Sequence, residues 1–195
     1  MFRLLQRACA DAATWPDDIK VAVNISPVQL ASGKLTDTVV GALASSGLPA
    51  RRLELEITET VLTQNTFAAL ATLHRLRQLG LRIAMDDFGT GYSSLSYLRS
   101  FPFDNIKIDR CVIECISEKD ASFAIVRAIT NMAQHLNMTT TAEGVETEEQ
   151  REKARELGCT EMQGYLFSRP LRADDVLSLL QRRMQPPVAP RSHVA

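Results

Sequence analysis

The sequence lacks the features that mark several protein classes. It has no apolar run approaching the roughly 18 residues of a membrane-spanning helix, and its opening residues lack the apolar core of a signal peptide. Its four cysteines include no CxxC pair, which argues against a zinc-binding or redox motif. Its 22 basic residues nearly balance its 23 acidic ones, so no polycationic surface for a nucleic acid polymer is expected. We therefore expect a globular, cytoplasmic protein without direct membrane contact.

Short runs of strand-forming residues alternate with longer helical patterns along most of the chain. Six strands are predicted, at residues 21–26, 52–59, 81–88, 105–110, 139–146 and 161–167. Helices are predicted at residues 2–14, 35–46, 66–79, 120–136, 147–157 and 173–184. Repeated strand–helix units imply a parallel sheet. Residues 185–195, rich in proline and small side chains, are predicted to form a disordered tail after a single domain at 1–184.

The predicted strands carry charge on one face. Residues 52–59 alternate leucine and isoleucine with glutamate and threonine, and residues 105–110 alternate isoleucine with lysine and aspartate. Parallel strands are usually apolar on both faces, because an unpaired buried charge is costly. A barrel accounts for the pattern, since its outer face packs on helices while its lumen opens into an active site. Because 195 residues fall short of the roughly 250 of a (β/α)8 barrel, we predict an α/β fold, an incomplete TIM-type barrel with about six of eight βα units.

Each predicted strand carries a polar residue in its second half or directly after it. These residues are Asn24, Glu56, Asp86, Asp87, Lys107, Asp109, Glu143 and Gln163. Barrel enzymes hold their catalytic groups at this end of the strands. Helix caps and solvated loop charges would account for any one of these residues, but not for their recurrence in six successive strands. The carboxylate and amide oxygens favour Mg²⁺ or Mn²⁺ over zinc, and adjacent Asp86 and Asp87 suit a two-metal site for phosphodiester hydrolysis.

Six segments resemble, in order and in spacing, the motifs of the EAL domain family, which hydrolyses cyclic di-GMP to linear pGpG. They are NIS at 24–26, EITE at 56–59, DDFGTGYSSL at 86–95, KIDR at 107–110, AEGVE at 142–146 and QGYLFSRPL at 163–171. The resemblance covers the chain from about residue 2 to about residue 180. It implies a phosphodiesterase of bacterial signalling with a two-metal Mg²⁺ or Mn²⁺ site, cyclic di-GMP as its ligand and a homodimer as its assembly.

The resemblance also implies roles for individual residues. Five would be metal ligands: Asn24, Glu56, Asp86, Asp87 and Asp109. Lys107 would orient or deprotonate the attacking water, and Glu143 would complete the coordination or hold a metal-bound water. Gln163 would bind substrate or help fix the site, and Glu59 would anchor the loop that follows the two aspartates. Glu146 would contact the metal-binding residues without itself binding metal, with the alternative that it caps the next helix.

One motif of the family is missing from this sequence. The Glu-Ala-Leu segment, whose glutamate is a metal ligand, does not occur, and the first residues resemble the helix that precedes the family's third strand. The expected consequence is weak binding of the second metal and hydrolysis near background. Three alternatives stay open: a phosphodiesterase whose N-terminal part is missing, a non-catalytic cyclic di-GMP-binding regulatory module, and an inactive fragment.

Overall fold

The structure is a computed structural model that describes residues 3–58, 66–89, 98, 101, 103–116 and 121–184. Its strands are β1 (Val21–Asn24), β2 (Leu53–Thr58), β3 (Arg82–Phe88), β4 (Asn105–Ile108), β5 (Thr139–Ala142) and β6 (Glu161–Met162). Its helices are α1 (Arg3–Ala12), α2 (Pro27–Ala31), α3 (Leu35–Ser46), α4 (Thr66–Gln78), α5 (Arg110–Glu114), α6 (Ala121–His135), α7 (Glu148–Glu156) and α8 (Ala173–Met184). The predicted tail at 185–195 lies outside the described residues.

The six strands form one parallel sheet in the order β1-β2-β3-β4-β5-β6. Each strand pairs with the next one along the chain, and the register sets Asn24 beside Glu56 and Thr58 beside Asp86. The ammonium of Lys20, just before β1, lies 3.0 Å from a carboxylate oxygen of Glu161 in β6. The sheet is therefore curled until its first and last strands approach each other, and the predicted partial barrel is confirmed.

The two faces of the strands differ as their alternation predicts. The aliphatic side chains Leu53, Leu55 and Ile57 are fully buried in the core between strands and helices. Glu54 and Glu56, between them in sequence, take the opposite face and line a cleft inside the curled sheet. Burial of the aliphatic set stabilises the fold by about 1.5 to 3 kcal/mol per side chain. Packing on the outer face therefore fixes which side chains reach the lumen.

Helix positions agree closely with the prediction, while two short helices were not predicted. Helix α3 occupies the predicted residues and ends at Gly47, whose left-handed backbone donates its N–H to the carbonyl oxygen of Leu43. Helix α2 was missed. At its start, the N–H of Gln29 donates to Oγ of Ser26, and the N–H of Ser26 donates to Oε1 of Gln29. This reciprocal capping ends β1 at Asn24 instead of the predicted residue 26.

The last two strands are shorter than predicted. Strand β5 ends at Ala142 because Gly144 has a φ of +69°, which turns the chain out of the sheet. Strand β6 has only two residues, and the chain after Gln163 forms a turn in which the N–H of Phe167 donates to the carbonyl oxygen of Gly164. Within the described residues, no helix is long and apolar enough to cross a membrane.

Candidate metal centre

Three carboxylates meet at the carboxyl ends of β3 and β5. Asp86 and Asp87 lie near the end of β3, and Glu143 directly follows β5. One oxygen from each of the three lies within 4.8 Å of the other two. Asp86 is buried, Glu143 is partly buried and Asp87 is exposed, so the group faces solvent on one side. An all-oxygen donor set of this kind fits a hard divalent cation such as Mg²⁺ or Mn²⁺.

Lys107 connects this group to Glu56. Its ammonium nitrogen lies 2.8 Å from Oε1 of Glu56, 3.3 Å from Oδ1 of Asp86 and 2.6 Å from Oε1 of Glu143. The side chain of Lys107 is only 6% exposed. Burial favours the neutral amine, but the hydrogen bonds and charges of Glu143 and Glu56 outweigh it and raise the pKa of Lys107. The raised pKa and the three short contacts favour a protonated Lys107 that donates to these carboxylates. Its expected role towards the attacking water stays a prediction.

The surroundings of Glu56, Glu143 and Asp87 disfavour the charged form of these carboxylates and raise their pKa. Burial raises the pKa of Glu56 and of Glu143, and Asp86 raises both further, while Lys107 acts in the opposite direction. Burial also raises the pKa of Asp87, with additional repulsion from Asp86 and Asp109. A divalent cation would relieve this repulsion, since opposite charge within a few ångströms favours the ionised form.

The backbone at Asp87 is strained in a way that is typical of functional positions. Its φ is +57°, in the left-handed region that non-glycine residues seldom adopt. Its N–H donates to Oδ1 of Asp86 at 3.1 Å. The pairing of β3 with β4 is irregular between Met85 and Phe88, so a bulge carries the two aspartates. The bulge lets adjacent residues, which would otherwise point to opposite faces, both contribute oxygens to one site.

Asp109 has a structural contact beside its expected role as a ligand. Its carboxylate accepts from the N–H of Cys111 at 2.8 Å and caps α5. This cap explains why the predicted strand at 105–110 stops at Ile108 and a helix begins at Arg110. Asp109 lies close enough to Asp87 to raise its pKa, but it is not among the three carboxylates within 4.8 Å of one another. Its role as a metal ligand stays a prediction.

Three of the remaining predicted residues end or follow a strand of the sheet. Asn24 ends β1 and is exposed, next to Glu56 in the register. Gln163 follows β6 and lines the cleft that also contains Glu56 and Lys107. Oε1 of Glu146 lies 3.4 Å from Nη2 of Arg110. Glu146 is not the helix cap, because Thr147 caps α7 through the N–H of Gln150. Glu59, and residues 90–95 of the loop it was expected to anchor, lie outside the described residues.

Comparison with known proteins decides the family. The sequence model of the EAL domain matches residues 2–170. The chain belongs to the EAL domain family. It is 45% identical over 172 residues to the cyclic di-GMP phosphodiesterase NbdA of Pseudomonas aeruginosa, covering 86% of this chain and 22% of that protein. The chain spans between 21% and 30% of the length of the curated relatives it matches.

Solved EAL structures share the fold. The phosphodiesterase PaMucR in complex with c-di-GMP superimposes with a TM-score of 0.86 at 41% identity, over 90% of this chain and 78% of that one. Klebsiella pneumoniae BlrP1, solved with manganese and cyclic di-GMP, gives a TM-score of 0.76 at 34% identity, over 87% of this chain and 44% of that one. The TIM-type assignment made from the sequence is therefore confirmed.

A second set of lumen residues was not singled out from the sequence as functional. Beneath the carboxylates of this EAL domain lies a polar layer formed by Glu54, Arg82, Asn105, Thr139, Thr141 and Glu161. Part of it lines a cleft of about 320 Å³ together with Glu56 and Lys107. The alternation within 52–59 and 105–110 was the available signal, because it assigns Glu54 to the face of Glu56 and Asn105 to the face of Lys107.

Proposed function

We propose that this EAL domain hydrolyses cyclic di-GMP to linear pGpG at the carboxylate group around Lys107. The observation that carries the proposal is the meeting of Asp86, Asp87 and Glu143 within 4.8 Å of one another at the mouth of the barrel. The names of the relative NbdA and of the PaMucR complex agree with this substrate. A cytoplasmic location and a homodimer belong to the proposal as expectations.

In this proposal, one group of residues binds the metal, and Lys107 and Gln163 position the water and the substrate. Asp86, Asp87 and Glu143 would hold the divalent metal, Mg²⁺ or Mn²⁺, with Asn24, Glu56 and Asp109 as the further ligands of a two-metal site. Bound metal supplies the activation of water and the stabilisation of the leaving oxygen. Lys107, protonated and buried, would donate a hydrogen bond that orients the attacking water. Gln163 would hold the substrate where it enters the cleft.

A Mn²⁺-dependent turnover assay tests the proposal. Purified chain is incubated with cyclic di-GMP and Mn²⁺ or chelator, and pGpG is quantified by chromatography. Asp86→Asn should lower the Mn²⁺-dependent rate by on the order of 100-fold or more, because it replaces a buried carboxylate ligand with a neutral amide of nearly the same shape. Asp37→Asn, the same change at an exposed position of α3, should leave the rate unchanged.

The same assay separates the alternatives. Low but Mn²⁺-dependent turnover that Asp86→Asn abolishes would support a phosphodiesterase weakened by the absent Glu-Ala-Leu motif. Binding of labelled cyclic di-GMP without any pGpG would identify a regulatory binding module. Neither binding nor turnover by a folded chain would refute the proposed function.

A further inference from the structure

The polar layer beneath the metal centre forms a continuous chain of side-chain hydrogen bonds across five strands. Arg82 Nε donates to Oε2 of Glu54 at 2.9 Å, and Asn105 Nδ2 donates to Oε1 of the same carboxylate at 3.3 Å. Asn105 Nδ2 also donates to Oγ1 of Thr141 at 3.0 Å, and Thr141 Oγ1 lies 3.4 Å from Oε2 of Glu161. Contacts run in this way from β3 through β2, β4 and β5 to β6.

Three members of this chain lie two residues before a residue of the centre. Glu54 precedes Glu56 on β2, Asn105 precedes Lys107 on β4, and Thr141 precedes Glu143 just beyond β5. Residues two apart in a strand share a face and are separated by about 6.6 Å along it. The lower contacts therefore link the same strands that Lys107 links above, one step closer to the strand beginnings.

Burial shields the hydrogen bonds of this layer from competing water. The exposed fraction is 6% for Glu54, 1% for Asn105 and 6% for Thr141. Buried hydrogen bonds are not exchanged readily for water, and losing one partner leaves the other unsatisfied. These contacts consequently set the lateral spacing of β2, β4 and β5 beneath the site.

We propose that Glu54, Asn105 and Thr141 are positioning residues, whose hydrogen bonds set the spacing of Glu56, Lys107 and Glu143 and thereby the affinity of the centre for its divalent metal. The inference rests on the proposed function, because it assumes that the upper group binds metal. None of the three touches the metal or the substrate in this assignment. Partners of this kind typically change metal affinity by about 10- to 100-fold when removed.

Neighbouring threonines on β5 provide a matched test. Thr141→Val removes the lumen hydroxyl without changing shape, and Thr141→Ser retains it. The control is Thr140→Val, because Thr140 is 2% exposed, faces the helix side and accepts from the N–H of Thr160 at 3.3 Å. Titration with Mn²⁺, followed by electron paramagnetic resonance at a temperature where circular dichroism shows each variant folded, gives the metal Kd.

The positioning role predicts different metal affinities for variants of similar stability. Thr141→Val should raise the Mn²⁺ Kd about 10-fold, Thr141→Ser should stay close to wild type, and Thr140→Val should lower only the unfolding midpoint. Thr141→Ala, which admits water in place of the hydroxyl, serves if Thr141→Val does not fold, and it should weaken Mn²⁺ binding as well. A wild-type Kd in Thr141→Val, or an equal shift in Thr140→Val, overturns the proposal.

Turnover on the same samples separates this inference from the proposed function. If the Mn²⁺ affinities follow the predicted order but no pGpG forms, the proposed reaction is wrong and the positioning role is supported. If pGpG forms but all variants have the same Mn²⁺ affinity, only the positioning role is wrong. Where both hold, Thr141→Val should lose turnover mainly at limiting Mn²⁺, a pattern that a purely structural role would not produce.

Discussion

Removing the ammonium of Lys107 should make the stability of this domain depend on metal. Lys107→Met keeps most of the length and packing of the side chain but leaves Glu56, Asp86 and Glu143 without their shared cation, whose distances to them are 2.6 to 3.3 Å. Breaking a buried ion pair by removing one partner typically costs about 3 to 5 kcal/mol. Since small domains are stable by only about 5 to 15 kcal/mol, the variant should be close to unfolding in chelator.

A divalent cation should replace the lost charge. With free Mn²⁺ at about 100 times the wild-type Kd, binding adds about 2.7 kcal/mol to the unfolding free energy of the wild type. At the same Mn²⁺ concentration the variant should gain more, because without the competing ammonium it binds Mn²⁺ more tightly. Urea unfolding followed by circular dichroism, in chelator and in Mn²⁺, measures both values.

The matched control is Lys20→Met, which removes a lysine from the half-exposed pair with Glu161. That change should cost less than about 1 kcal/mol, with or without Mn²⁺. Equal destabilisation by the two substitutions, or a loss in Lys107→Met that Mn²⁺ does not offset, would refute the assignment of Lys107 as the internal counterion of the centre.

Three further outcomes are expected. Asp87→Asn suits the left-handed backbone and removes a charge whose pKa is raised by partial burial and by repulsion from Asp86 and Asp109. Its thermal midpoint should therefore rise in chelator and respond less to Mn²⁺ than that of wild type; a fall in chelator would contradict this. Burial raises the pKa of Glu56 above its value in the unfolded chain, so the folded state binds this proton more tightly. The unfolding free energy of wild type relative to Glu56→Gln, measured in urea, should therefore be highest at low pH and fall from about pH 4 towards pH 7. A rise over this range would contradict the prediction. Gly144→Ala places an alanine in the left-handed region and against the Arg110 side chain. The left-handed backbone alone should cost at least about 1 kcal/mol, measured by calorimetry, and an unchanged midpoint would contradict this.

Much of this architecture could be predicted because its signals are local. The alternation of aliphatic and charged residues in 52–59 assigns one set to the helix layer and the other to the lumen, and the burial of Leu55 and the lumen position of Glu56 agree with it. Helix α3 was predicted in full because its apolar spacing and Gly47 lie within a single segment. Position at strand ends was sufficient to bring Asp86, Asp87 and Glu143 to one site.

What could not be predicted depends on contacts between distant segments or on backbone detail. The partners of Lys107 come from β2, β3 and the end of β5, and no spacing rule states which carboxylates a lysine will reach. The left-handed backbone of Asp87 follows from an irregular pairing with β4. The cap of α7 belongs to Thr147 and not to Glu146, because the side chain of Gln150 completes the reciprocal contact.

The division of β2 into an aliphatic and an acidic face has a consequence for how the chain finds its fold. Strand side chains alternate with a period of two, so a slip of β2 by one residue against β3 would exchange its two faces. Glu54 and Glu56 would then lie beneath the helices, away from Arg82 and Lys107, at several kcal/mol for each unpaired ion. Every misaligned pairing of odd offset is penalised in this way. The lumen charges of β2 thus also act during folding, because they disfavour every alignment of odd offset and so remove half of the possible strand pairings.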